Sequence, residues 1–163
     1  MWIFFLFSIV LLIFIIRWNR RNTDQNDKKV SSLIVLGSGG HTAEMFSFLS
    51  TLERDHYTPR VYVMSASENG AYSSDNKASA FEANRADWSI HKIPRAREVG
   101  QSYFTSVFTT VYAFLHSIFL VWKIQPDVIL CNGPGTCIPI CFSGWLLRVL
   151  NFYVVAVSFI VQF

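Results

Sequence analysis

Residues 32–52 read SLIVLGSGGHTAEMFSFLSTL: a short apolar run rich in branched side chains, a break at Gly37-Ser38-Gly39-Gly40, then apolar residues at helical spacing. Ser32 to Leu36 is expected to be a strand ending in a tight loop, since branched residues favour the extended pleat and successive glycines interrupt it. Met45, Phe48, Leu49 and Leu52 then share one face of a helix. The same unit returns later, with DVILC at Asp127 to Cys131, Asn132-Gly133-Pro134-Gly135-Thr136, and an apolar helix reaching roughly Leu150. Between the two units, Pro59 precedes a second strand at Val61 to Met64, Ser67 to Lys77 reads as a polar loop, and Ser89 to Ile93 reads as a third strand. Alternating strands and helices imply a parallel sheet with crossover helices, the doubly wound α/β architecture.

The chain has 163 residues, 52% of them hydrophobic and 16% aromatic. That is one domain with an appendage and no room for a second full domain. Trp2 to Ile16 carries no charge and is followed by Arg17, Arg20, Arg21, Lys28 and Lys29. A signal peptide would have a basic region before the apolar run and small residues after it, and neither is present. Residues 1–18 are therefore read as a membrane anchor, with the amino terminus lumenal and the body cytosolic by the positive-inside rule. Residues 19–29, NRRNTDQNDKK, have almost nothing to bury and form a polar linker to the domain at 30–163. Tyr103 to Trp122 is also uncharged over a membrane's length, but its hydroxyls and His116 favour a buried or membrane-surface helix over a second crossing. A net charge of +3 gives no case for nucleic acid. Cys131, Cys137 and Cys141 read as reduced core thiols, since no further ligand at metal spacing accompanies them.

In a parallel sheet, ligands gather beyond the carboxyl ends of the strands, where both glycine loops fall. Gly37, Ser38, Gly39, Gly40 and Thr42 offer backbone approach and free helix-start amides to a phosphate, although glycines also serve turns with no ligand. The spacing matches neither the dinucleotide fingerprint nor the P-loop. His41, at the mouth of the loop, could take a proton from a sugar hydroxyl or bond a phosphate, or merely satisfy the helix start. Glu44 is expected in the first helical turn, where the helix dipole alone would account for a carboxylate. Arg95 and Arg97 could hold a diphosphate or be simply solvated, and Asn132, Gly133, Gly135 and Thr136 could offer amides and a hydroxyl or form a tight turn. His56, His91 and His116 have no partners at ligand spacing.

Three segments in register, LGSGGHTAEM at Leu36 to Met45, IPRAREVGQS at Ile93 to Ser102 and DVILCNGPGTCIPIC at Asp127 to Cys141, resemble one family. It is that of the membrane-anchoring subunit of the UDP-N-acetylglucosamine transferase of asparagine-linked glycosylation. The resemblance implies a Rossmann-like half of a GT-B glycosyltransferase behind an N-terminal transmembrane helix at the cytosolic face of the endoplasmic reticulum. It also implies a soluble catalytic partner that carries the UDP-N-acetylglucosamine site, and transfer to N-acetylglucosaminyl-diphospho-dolichol by a single inverting displacement. No cofactor or metal is implied. On that likeness His41 is the candidate base with Glu44 beside it, and the glycine loops with Arg95 or Arg97 hold the acceptor diphosphate. Family members continue past the last helix with another strand, a loop containing a glutamate-serine pair and a partner-docking tail. Here the sequence runs NFYVVAVSFIVQF from Asn151, with Phe152 to Val161 a candidate strand, so the resemblance implies a shortened, incomplete domain. Two other readings follow: an inactive truncated variant, or a non-enzymatic membrane scaffold for glycosylation proteins. A self-sufficient nucleotide-binding enzyme would lack the second domain that closes a cleft.

Overall fold

A computed structural model describes residues 29–37, 39–66, 74–95, 101–133, 136–150 and 156–159. The expected anchor, nearly all of the linker, Ser38, Arg97 and Gly135 lie outside the described residues. In chain order the elements are β1 (Ser32–Val35), α1 (Gly40–Thr51), β2 (Arg60–Ser65), α2 (Ser74–Phe81), β3 (Trp88–Ile93), α3 (Tyr103–Ile124), β4 (Val128–Cys131), α4 (Cys137–Val149) and β5 (Ala156–Phe159). The five strands form one parallel sheet in the order β3-β2-β1-β4-β5. The doubly wound α/β expectation is met, and β5 falls inside the run read as a candidate strand.

Strand alternation divides the core between the two faces of the sheet. Leu33 and Val35 of β1 point with Val63, Ile129 and Cys131 toward Leu120 and Val121 of α3 and Ile140, Cys141 and Leu147 of α4. Ile34 and Leu36 point the other way, with Tyr62, Met64 and Leu130, against Met45 and Leu49 of α1 and Ala78 of α2. The result is a sheet covered by helices on both faces, which is why every residue of β1, β2 and β4 is buried. Burying Met45 and Leu49 contributes on the order of 1.5–3 kcal/mol each, enough to hold α1 without help from a side-chain cap, which it lacks. All three cysteines are buried free thiols, with Cys131 Sγ 3.1 Å from Cys141 Sγ.

Two sequence expectations change. The polar stretch to Lys77 is partly helical, because α2 begins at Ser74. Its buried residues are only Ser74 and Ala78, so the helix is pinned by contact with the sheet and shows little apolar periodicity. Glu44 is not in the first turn of α1: the helix starts at Gly40, and that turn carries no acidic residue. Its carboxylate must therefore be explained by something other than the helix dipole.

α3 meets the rest of the fold along one stripe. Ser106, Ala113, Ser117, Leu120 and Val121 are buried, while Phe104, Val107, Phe108, Val111, Tyr112, Leu115, Phe119 and Trp122 are exposed on the other side. Residues Phe104–Ile124 are long and apolar enough to cross a membrane by length and composition. The helix ends where Gln125 turns into the left-handed region, with Pro126 next.

Candidate active site

The strand order reverses between β1 and β4, so the connections leaving these two neighbours diverge to opposite faces and open a crevice at their carboxyl ends. Into that crevice β1 feeds Gly37, Gly39, Gly40 and His41, and β4 feeds Asn132 and Gly133. The sheet thus brings together two loops that are 91 residues apart in the chain.

The glycines fall into two kinds. A Cβ on Gly37 would lie 2.8 Å from the Asn132 carbonyl oxygen and 3.0 Å from His41 Cβ, and one on Gly133 would lie 3.3 Å from the His41 ring. These two glycines let the loops close on each other around His41, and Gly133 also adopts φ +103°. Gly39 and Gly40 face open space, with Gly39 in the left-handed region at φ +65°. Only the second kind leaves room for a ligand at the backbone. With glycine at the N-cap and no side-chain cap, the first amides of α1 have no intrahelical partner.

His41 and Glu44 lie one turn apart, with side chains 47% and 39% exposed, and His41 Nδ1 is 3.2 Å from Glu44 Oε2. A carboxylate can only accept, so Nδ1 donates and Nε2 is left as the basic nitrogen. Asn132 Nδ2 donates to Glu44 Oε2 at 2.8 Å and to the His41 backbone oxygen at 3.1 Å. The Asn132 bond and then the His41 bond hold the Glu44 carboxyl below its usual range, against a smaller opposing effect of desolvation. The group therefore stays ionised and able to orient the ring.

Thr42 is buried and its hydroxyl donates to the Gly37 carbonyl, with Ser74 Oγ 3.0 Å away and itself directed at the same carbonyl at 3.4 Å. Its side chain is spent on shaping the glycine loop, which leaves its amide for a ligand. Ser74 sits in a segment the sequence presents as loop, and nothing in its surroundings there signals this role. Thr136 is the 8%-exposed N-cap of α4 and makes no side-chain cap bond. Arg95 lies on the same edge beyond β3, its Nε donating to Ser65 Oγ at 3.1 Å at the end of β2. That bond ties it to β2 and not to the two loops. His91 lies on β3, where burial and then Lys123 lower its basicity. Among the described residues no group of three or more His, Cys, Asp or Glu is placed to hold a metal ion.

A family model described as "Oligosaccharide biosynthesis protein Alg14 like" matches residues 32–163. The UDP-N-acetylglucosamine transferase subunit ALG14 of Homo sapiens is 42% identical over 142 residues, covering 82% of this chain and 64% of that protein. The subunit of the same name from Rattus norvegicus is 44% identical over 137 residues, covering 78% and 62%, and that from Candida albicans 38% over 152, covering 90% and 68%. The chain thus spans a little under two thirds of the human and rat relatives. Among solved structures, MurG from Acinetobacter baumannii aligns with a TM-score of 0.54 at 14% identity, over 83% of this chain and 37% of its own. That is a likeness of fold, and it fits the GT-B-like half expected from the sequence.

Proposed function

The chain belongs to the Alg14 family of oligosaccharide biosynthesis proteins, and from that premise we propose that it is the acceptor-side subunit of a UDP-N-acetylglucosamine transferase. Its acceptor is N-acetylglucosaminyl-diphospho-dolichol, and a soluble partner subunit brings the UDP-sugar. An acceptor hydroxyl oxygen bonds to the anomeric carbon as the bond to UDP breaks, with inversion, and the hydroxyl proton passes to His41 Nε2. Glu44 stabilises the imidazolium that forms. The amides at Gly39 and Gly40 hold the acceptor diphosphate, joined by Arg95 on leaving its bond to Ser65, or by Arg97. The observation that carries this reading is the half-exposed His41 ring, oriented through Nδ1 by Glu44 at the sheet's switch point.

Residues 1–18 anchor the chain in the endoplasmic reticulum membrane, with the main domain on the cytosolic side. The exposed apolar faces of α3 and α4, the latter with Ile138, Phe142, Trp145 and Val149, lie along the bilayer and keep the crevice near the lipid headgroup. Those faces also favour one other reading, a membrane scaffold without chemistry.

Co-expression with the soluble partner in membranes separates the two. The transferase reading expects partner capture together with transfer from labelled UDP-N-acetylglucosamine to the dolichol-linked acceptor, and loss of transfer but not capture in His41→Ala. Capture with transfer undiminished in His41→Ala overturns the assignment of the base.

A further inference from the structure

From the sequence, Asn132 belongs to a loop that could offer amides and a hydroxyl to a sugar or phosphate or form a tight turn. In the structure its side chain bonds inward. Its side-chain nitrogen has two hydrogens, and there is a 2.8 Å bond to Glu44 Oε2 and a 3.1 Å bond to the His41 carbonyl to use them. The residue is 5% exposed, its own carbonyl oxygen packs against Gly37, and its neighbour Gly133 lies against the His41 ring. The donor face of Asn132 is therefore committed inward.

We infer that Asn132 is a positioning residue: it holds the Glu44 carboxylate against His41 Nδ1 and thereby fixes which imidazole nitrogen faces the crevice. Glu44 reaches His41 from the same helix, and a carboxylate on a half-exposed helix face has other rotamers open to it. The bond from β4 selects one. It comes from a different strand and loop, so the orientation of His41 depends on the β1–β4 pair remaining closed. The groups facing Glu44 are His41 on its own helix and Asn132 from β4, and Asn132 is the larger influence on its carboxyl.

This inference rests on the reading of His41 as the base, and the test separates the two. Asn132→Asp keeps the shape, removes the donor and sets a second carboxylate beside Glu44. In the full chain with its partner subunit, kcat is expected to fall roughly 10–100-fold, the scale on which outer partners tune a histidine, with KM for the lipid acceptor unchanged. Combined with His41→Ala, the substitution should add nothing further, as expected of residues acting as a unit. Nitrogen NMR of labelled histidine, assigned against His41→Ala, should show His41 changing from a single Nδ1–H tautomer to a mixture.

A rise in KM at unchanged kcat would make Asn132 an acceptor contact and overturn the inference, as would an unchanged tautomer. If His41→Ala itself leaves transfer intact, the base assignment fails while the tautomer readout still decides the role of Asn132. Should Asn132→Asp not accumulate, Glu44→Ala removes the acceptor of the same bond from a half-exposed position. It must reproduce both the kcat loss and the tautomer mixture, and wild-type behaviour in either sinks the proposal.

Discussion

Glu44, bonded to Asn132 just beyond the end of β4, and Glu82, paired with Arg60 at the start of β2, show two uses of a carboxylate. Glu82 is 2% exposed and is saturated: Arg54 donates to Oε2 at 3.0 and 2.6 Å, Tyr62 donates to Oε1 at 2.5 Å, and Arg60 lies 3.5 Å away. Asp87, bonded by the Thr58 hydroxyl and 3.4 Å from Arg54, extends the cluster. Burial and then Glu82 push the Tyr62 hydroxyl well above its ordinary range, so it remains a donor. This network ties α1's trailing loop, β2 and the end of α2 together, and the chemistry proposed above makes no use of it. Glu44 is less buried and is bonded through one oxygen to an amide and an imidazole. Glu82 has three partners and Glu44 two, but what separates their uses is whether a group able to exchange protons faces open space.

The sharpest way to break this contrast is Glu82→Ala. It leaves Arg60 buried with its charge unpaired and should lower unfolding stability by about 3–5 kcal/mol, read by thermal or urea unfolding. A loss below 1 kcal/mol would mean that the cluster is not structural. His41→Ala should do the reverse, reducing transfer by about 10²–10⁴-fold while changing stability by no more than about 0.5 kcal/mol. Gly37→Ala forces a methyl group into the Asn132 carbonyl and should cost about 1–3 kcal/mol, with transfer lost alongside. Gly40→Ala is its counterpart in open space: a stability gain of up to about 1 kcal/mol is expected, with weakened acceptor binding where the ligand approaches the backbone. Unchanged acceptor KM in Gly40→Ala would remove that loop from the binding site.

The smallest effect concerns pH. The carboxyl of Glu44 is held below its ordinary value of 4.5 in the folded chain. Its contribution to stability is therefore fully present above that value and is lost as pH falls through the lower folded one. Comparing stability at pH 7 and below 4 in wild type and Glu44→Gln should show a slightly flatter acid dependence in the variant. Identical curves would mean that the Asn132 and His41 bonds do not survive in solution.

β1, β2 and β4 were legible because a strand buried on both faces must be almost wholly apolar, and their flanking glycines and prolines mark where they stop. The crevice was legible from two glycine loops and a rule of topology. α2 was not, since a helix held through Ser74 and Ala78 leaves no periodic trace. The division of the glycines was hidden as well: Gly37 and Gly40 are identical in sequence and differ only in what a methyl group would meet. The bond of Asn132 to Glu44 was hidden too, because it crosses 88 residues and spacing reports only on neighbours.

The central strand pair also governs when the crevice can exist. The Ser31 amide donates to Asp127 across 96 residues, and β1 cannot meet β4 until β2, β3 and three helices have been made between them. Pairing of such distant strands is a late and slow event in a folding chain. As the polypeptide emerges from the ribosome, α1 with its histidine is made early and stays chemically idle. On the roles proposed for His41 and Asn132, the imidazole is held in its final orientation only when the second loop arrives, so a partly synthesised chain would have no competent base.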